Sequence, residues 1–321
     1  MIIEFIRKLF GTGAACQTAG ESKNYASSSI IMKTPVLLAA LAALSPVIAS
    51  AQLQLYLPFD TSLTDGFGNL TSPDASGFGR DASLNLAAVN PAYGISGATI
   101  VPDARAGGGA LQLDGVKDFA RVLGWSGISG NEARTVSLWV KEPASSASPN
   151  DVWVGWGDPD GGARVRWDFA LANSSASGMR LELNSGAAQS IGATVADDSW
   201  HMVTATYAAA GTGVSFYLDG NPYGTATFSA NPVNTDTSGS LGVVIGTGIR
   251  EASAFNGNPA RFVGGLIDDV RIYNTELDAA AVQNLYATTV PEPSSAALFG
   301  LGALALCFHR ARKARSHLQG S

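Results

Sequence analysis

Two adjacent carboxylates, Asp268 and Asp269, interrupt an otherwise apolar run, GGLIDDVRIY, at residues 264–273. In a regular strand Asp268 shares a face with Leu266, Val270 and Ile272, and Asp269 takes the opposite one. An aspartate in phase with core residues has to be hydrogen-bonded, ion-paired or bound to a metal, because a bare buried charge is too costly. Asp60 and Asp65 sit in a turn-rich loop, DTSLTDGFGN, behind the first apolar segment. Aspartates of this kind suit calcium, which gathers carboxylates, backbone carbonyls and water around a hard cation. The competing reading makes Asp60 and Asp65 turn formers and Asp268 a cap on backbone amides. The loop at 158–162, DPDGG, lacks the later acidic ligand of a calcium loop and reads as an ordinary turn.

A second set of polar side chains alternates with large apolar ones. Arg166 and Asp168 lie between Val165, Trp167, Phe169 and Leu171; Arg180 and Glu182 lie between Met179, Leu181 and Leu183. Paired as a hairpin, the two segments place these four polar groups on one face as cross-strand ion pairs. With Trp139 they are candidates to line a sugar groove, since guanidinium forks and carboxylates hydrogen-bond hydroxyls well. The alternative is a solvated sheet face with no ligand.

Catalytic constellations are sparse. Between residues 52 and 290 the sole histidine is His201 and there is no cysteine, which excludes Cys-His chemistry and multi-histidine zinc sites. A Ser-His-Asp triad could use only His201, which lies mid-strand beside Trp200. The five glutamates of this span are scattered at 132, 142, 182, 251 and 276.

The elements that must position these groups are short strands. Residues 52–59, QLQLYLPF, alternate as a first strand; 135–141, TVSLWVK, put Val136, Leu138 and Val140 on one face and Trp139 on the other. Further strands are read at 151–156, 164–171, 179–183, 200–207, 214–219 and 241–246, with Gly, Ser, Asn and Asp in the turns. After the 265–273 strand, Thr275 reads as the N-cap of one short helix, with Asp278 three residues on and a stripe of Leu277, Ala281, Val282 and Leu285. Many short strands and one helix predict an all-β, two-sheet antiparallel sandwich forming one domain. Trp125, Trp153 and Trp156 read as loop-proximal aromatics or core plugs.

Several segments resemble the LamG-like, concanavalin A-like jelly-roll domains: GLIDDVRIYN near the end, TVSLWVK, WHMVTATY, YLDG at 217–220, ALQLDG at 110–115, and the opening Phe59, Asp60, Asp65, Gly68, Asn69. The resemblance covers most of residues 52–287 and is weakest at about 70–105. It implies that the first loop and the last strand lie side by side, so that Asp60, Asp65, Asp268 and Asp269 would converge on a structural calcium ion. It also implies a fold that hosts lectins, glycan hydrolases and adhesion modules alike. The E-x-D-x-x-E pattern of laminarinase-type members is missing, because Glu182 has no carboxylate two residues on.

Both ends carry addresses. From Met32, a single lysine, an apolar stretch and the small-residue end Ala49-Ser50-Ala51 make residues 32–51 a Sec signal peptide, and residues 1–31 an upstream extension ahead of the true start. Pro291, Glu292 and Pro293 precede an apolar run at 296–308 and the basic residues Arg310, Arg312, Lys313 and Arg315. Residues 290–315 resemble a PEP-CTERM sorting signal, with the apolar run as a separate membrane helix, an exosortase-type protease as transient partner, and 316–321 as a tail. Domain 52–289 lies between them. The 52–290 span holds 18 Asp and 5 Glu against 2 Lys and 10 Arg, a net charge of −11, which disfavours nucleic acid and anionic membranes. The expectation is a non-enzymatic protein of the cell surface or an exopolysaccharide matrix, adhesive or structural, with calcium-supported glycan binding. The alternative is a glycan-active hydrolase.

Overall fold

The computed structural model describes residues 53–289, except 66–67, 86–96, 160–165, 173–176, 184–185, 210–212, 229–232, 239, 241 and 254–260. The expected extension, signal peptide and sorting segment, with Pro291, Glu292, Pro293 and the apolar helix, lie outside the described residues, as do residues 160–162 of the DPDGG loop. Among the described residues no helix is long and apolar enough to cross a membrane.

Two antiparallel sheets face each other. Sheet one runs in the order β15 (Asn221–Thr227), β14 (Gly213–Leu218), β13 (His201–Tyr207), β8 (Arg134–Lys141), β17 (Gly264–Tyr273), β6 (Ala110–Asp114) and β5 (Thr99–Val101), with β1 (Leu53–Leu57) also paired to β17. Sheet two runs β12 (Gly186–Thr194), β11 (Ser177–Leu183), β10 (Arg166–Leu171), β9 (Val152–Gly157), β16 (Val243–Ile245), β7 (Ala120–Val122), β4 (Ala82–Ser83), β3 (Leu70–Ser72) and β2 (Leu63–Thr64). The alternation read on β8 holds: Val136, Leu138 and Val140 point into the core, against Val154, Trp156, Trp167 and Phe169 of sheet two. Trp153 meets Phe169 edge-on at 5.0 Å and Trp156 stacks on Trp167 at 5.6 Å, so both β9 tryptophans are core plugs.

Three details differ from the sequence reading. The first is in β17, which is not regular: Asp269 has a positive φ of 58°, and the register against β8 gains a residue between Asp268 and Arg271. This bulge turns Ile267, Val270 and Ile272 inward and puts Asp268 on the outer face, out of phase with Val270 and Ile272. The second concerns the C-terminal helix, α2, which spans Ala279–Thr289. Its N-cap is Asp278, whose Oδ1 accepts the Ala281 amide at 2.8 Å, and not Thr275. The Thr275 carbonyl instead accepts from Thr135 Oγ1, which fixes the crossing from strand to helix. The third is an additional single-turn helix, α1 (Ile249–Ser253), which packs over the outer face of sheet two.

The core contains charge. Arg134 is fully buried, stacked 4.9 Å from the Trp167 ring, and donates to the carbonyls of Ile128, Ser129, Gly130 and Glu132 and to Thr235 Oγ1. Glu142 continues the inward phase of β8 just past its end, and meets Asp151 at the start of β9, so the two sheets join through a carboxyl pair. Both are buried, with Ser148 N donating to Asp151 Oδ2 at 2.6 Å. Burial pushes the Glu142 carboxyl well above its usual range and Asp151 up to about 6.

Because these carboxyls titrate higher in the fold than in the unfolded chain, their contribution is complete below about pH 4 and is lost as pH rises through about 6. Glu142→Gln keeps the shape and removes one titration. In chelator, its melting temperature should fall less between pH 4 and 7 than that of the wild type, a difference of roughly 1–3 kcal/mol. Identical pH profiles for the two proteins would remove the pair as the source.

Candidate functional site

The outer face of sheet one carries the site. Past β5 the chain forms a loop, 102–109, that is held at the middle of β17, at Asp268, on its way into β6. Arg105 and Ala106 donate their amides to Asp268 Oδ2, each at 3.0 Å, and Gly108 donates to Asp60 Oδ1. Two aspartates from opposite ends of the domain therefore hold one loop. Gly107 has φ +66°, and a Cβ there would collide with the Asp60 carboxylate, so this approach requires glycine. Burial pushes Asp268 up to about 7; the charges of Asp269 and Asp60 add to this and the amides of Ala106 and Arg105 oppose it.

The four predicted metal ligands are only partly brought together. Asp60 and Asp268 share the 102–109 loop. Asp269, turned by the bulge, accepts from Arg271 Nη1 at 2.7 Å, and Asp65 accepts the Asn69 backbone and side-chain amides at 2.8 Å in an exposed turn. No group of three His, Cys, Asp or Glu side chains with metal-binding geometry exists among the described residues. Asp268 Oδ1 is nevertheless buried without a hydrogen-bond partner. That oxygen and the Asp60 carboxylate, which holds the same loop, are of the chemistry that a hard, oxygen-seeking cation takes up.

The predicted sugar groove separates into two places. Arg166, Asp168, Arg180 and Glu182 do share the outer face of sheet two, with Asp168 opposite Glu182 in the β10–β11 register. That face is not solvated: Arg166 is 2% exposed and Asp168 0%. From above it, Ile249 of α1 donates its amide to Asp168 Oδ1 at 3.4 Å, and Arg261 joins the lattice, donating to Asp168 Oδ2 and Glu182 Oε2 at 2.9 Å each. Arg166 also bonds Glu182, and Arg180 lies 3.1 Å from it. The arginines hold Glu182 below the usual carboxylate range, against its burial. Trp139 belongs to sheet one. It is 1% exposed, lying 4.6 Å from the Arg105 guanidinium and 5.4 Å from the Tyr286 ring of α2, with its indole N–H donated to Thr289 Oγ1. It has no face left for a sugar.

Among the described residues a cleft of 390 Å3 opens beside the 102–109 loop, lined by Asp103, Gln112, Asp114, Lys141 and Asp198 together with Gly264, Gly265 and Leu266. Lys141 Nζ pairs with Asp103 Oδ2 at 2.9 Å, a bond that raises the lysine's pKa and lowers that of the aspartate. Trp200 Nε1 donates to Asp103 Oδ1 at 3.5 Å, while its half-buried indole packs against the cluster of Trp139, Met202 and Tyr217 and does not line the cleft. The turn carrying Asp198 is held by His201, whose Nδ1 lies 2.8 Å from Asp219 Oδ2 and Nε2 3.2 Å from Asp197 Oδ1; the Asp219 bond raises its pKa. His201 is thus a structural tie.

Sequence reasoning missed this cleft. Its signal was positional: Lys141 ends β8, Trp200 precedes β13, and His201 pairs with Val140, which puts both at the same end of sheet one. One of only two lysines in the domain and an end-of-strand tryptophan meet there.

A two-sheet antiparallel jelly roll with an open polar cleft on one outer face is the architecture of a lectin-like domain. The family model described as the concanavalin A-like lectin/glucanases superfamily matches residues 114–283, and the chain belongs to that superfamily. Residues 289–313 match the PEP-CTERM protein-sorting motif, which implies export to the cell surface or beyond. Among solved structures, domain 4 of AbnA, a GH43 extracellular arabinanase from Geobacillus stearothermophilus, in complex with arabinotriose, is 19% identical at a TM-score of 0.51, covering 74% of this chain and 98% of that one. The binding domain of Paraclostridial Mosquitocidal Protein 1 is 12% identical at 0.48, covering 74% and 52%. The ligand binding domain of botulinum neurotoxin serotype D, in complex with N-acetylneuraminic acid, is 15% identical at 0.48, covering 74% and 51%. The chain spans about half the length of these two toxin fragments. No curated protein matches the chain in sequence.

Gly107→Ala should detach the loop from Asp60 at a cost of about 1–3 kcal/mol. Hydrogen exchange at the Arg105 and Ala106 amides should then accelerate, and unchanged protection of both would show that the aspartate bonds do not depend on this glycine.

Proposed function

We propose that this chain is an exported, non-catalytic glycan-binding protein of a surface or exopolysaccharide matrix, carried out by Sec and released by an exosortase-type protease at Pro291, Glu292 and Pro293. The observation that carries the reading is the open cleft, whose Asp103 is held from behind by Trp200. Carboxylates, an amide and an ammonium around two glycines are groups that take hold of sugar hydroxyls. The arabinanase domain, solved with arabinotriose, supports a carbohydrate ligand for this fold. The Asp168–Glu182 pair does not suit a hydrolytic role, because both carboxylates are tied to arginines.

Calcium, in this reading, supports the site without touching the sugar. Asp60 and Asp268 would hold it, and its charge would satisfy the buried Asp268 oxygen and fix the loop that presents Asp103.

Two measurements test the proposal. Millimolar calcium should raise the melting temperature of the full chain by several degrees, equivalent to about 2–3 kcal/mol at about 100-fold excess over Kd, and Asp268→Asn should abolish the shift. Titrated with neutral gluco- and arabino-oligosaccharides, Asp103→Ala, which removes a hydrogen-bonding carboxylate from the cleft, should bind about tenfold more weakly than the wild type. Absence of binding to every oligosaccharide sinks the glycan reading, and release of new reducing ends sinks the non-catalytic one.

A further inference from the structure

Phe78 is 51% exposed at the tip of the 73–81 loop between β3 and β4, and the surrounding bonds hold that tip in place. Gly77 and Gly79 flank it at φ +92° and +67°, backbone that a side chain would strain. Asp74 pins the base of the loop. Its Oδ1 accepts the Tyr56 and Ser76 amides at 3.0 and 2.9 Å, and its Oδ2 the Arg80 amide at 3.0 Å and the Ser76 hydroxyl at 2.7 Å. The Arg80 guanidinium lies over the Phe78 ring at 4.4 Å and over the Trp125 ring at 4.1 Å, which clamps the tip to the loop that follows β7.

The polar groups of this clamp are only partly used. Arg80 Nη1 donates to Gln54, while Nε and Nη2 have no acceptor among the described residues. The Trp125 indole N–H has none there either, whereas those of Trp139, Trp153, Trp156 and Trp200 are donated to other side chains or carbonyls of the fold. A pre-positioned ring beside unused planar donors suits a pyranose, whose C–H face stacks on the aromatic while its hydroxyls accept hydrogen bonds. The Asp74 carboxylate offsets the Arg80 charge and the domain carries −11, so a neutral sugar fits better than a uronate. Phe78 and Leu123 are the large exposed apolar side chains of the two loops, far short of the roughly 20–30 residues a side that a protein interface uses. None of these residues lines the cleft. Asp114, which does, comes before β7, and the Trp125 loop leaves the other end of that strand.

We infer that Phe78, Arg80 and Trp125 form a second carbohydrate site, which stacks a neutral, gluco-configured pyranose whose equatorial hydroxyls leave its C–H face flat. The site stands on its own residues; joined to the cleft of the reading above, it lets one chain bridge two glycan strands.

The test is titration of the full chain with cellotetraose, followed at the indole N–H resonance of Trp125, which is assigned by its loss in Trp125→Phe. That resonance should shift to saturation. Phe78→Ala should weaken this binding at least about tenfold while the melting temperature stays within about two degrees. Phe78→Tyr keeps a stacking ring and should bind as the wild type does. Asp103→Ala, in the cleft, should leave the Trp125 titration unchanged. A still Trp125 resonance, with calorimetric binding that Asp103→Ala removes, overturns this site and leaves the cleft standing. A shift that persists in Asp103→Ala, with no affinity lost elsewhere, supports this site at the expense of the cleft. An equal titration in Phe78→Ala overturns it, as does equal binding of a galacturonate tetramer. A shift that appears without sugar as the protein is concentrated overturns it too, by making the patch a contact between copies. Absence of all binding overturns both sites.

Discussion

The bulge at Asp269 is the constraint on which the rest of this domain depends. Upstream of it β17 pairs with β6, through Gly264 to Ile267; downstream it pairs with β1, through Val270 to Tyr273. One strand thus serves two partners on the same side, while β8 runs along the other and absorbs the extra residue. Asp269 reaches a left-handed backbone that aspartate tolerates better than most residues. Its carboxylate is met by Arg271, whose guanidinium lies 4.2 Å from the Tyr56 ring of β1. The first strand of the domain is thereby fastened to the last. Without the extra residue, Asp268 would share the inward face with Val270 and Ile272, and the loop that uses it as an acceptor would have no anchor.

Both sheets bury part of their outer faces as well as their inner ones, and this narrows where a ligand can sit. On sheet one, α2 covers Trp139, Met202 and Tyr217 with Val282, Leu285 and Tyr286. On sheet two, α1 and the segment around Phe262 cover Val244 and shield the arginine–carboxylate lattice. Buried ion pairs of that kind recover little more than their desolvation cost, so the lattice organises the roof more than it stabilises the fold. Breaking one partner would be expensive, since it leaves a charge stranded. Arg134 makes the same point in the core: its guanidinium serves four backbone carbonyls of the 128–132 loop, and burial lowers its pKa to about 10.

Periodicity made the sandwich readable, because a half-buried strand advertises its two faces. The faces of β8, β10 and β11 and the hairpin between the last two follow directly from alternation, and so does the segregation of Arg166, Asp168, Arg180 and Glu182. The same pattern cannot say what lies above a polar face. Whether Arg166 is solvated or roofed is decided by residues some ninety positions away, around Arg261. Trp139 misled for the same reason: out of phase with the core, it read as exposed, yet a helix distant in sequence covers it. A bulge is a single-residue event with no signature in a run of apolar residues, so the face of Asp268 was misassigned while its need for a partner was not. The helix start was misplaced by three residues because Thr275 and Asp278 are both competent caps, and the choice falls to tertiary bonds between Thr135 and the crossing chain.

The remaining connection runs from the aspartate anchor to the cleft. Asp103 lies two residues before Arg105, whose amide is fixed to Asp268, so the position of a cleft carboxylate and the state of the anchor belong to one short segment. In the proposed scheme a cation and a proton compete for Asp268, whose carboxyl titrates near 7 through burial. Rising pH through that range would favour the cation and hold the loop, while falling pH would protonate Asp268 and weaken its hold on the Arg105 and Ala106 amides. Linkage makes this reciprocal: a glycan that requires Asp103 in place would tighten the cation's hold by the same factor that the cation tightens the glycan's. A matrix protein built this way would grip its polysaccharide where calcium and pH are both sufficient, and the dependence would reside in one loop of eight residues rather than in the sandwich beneath it.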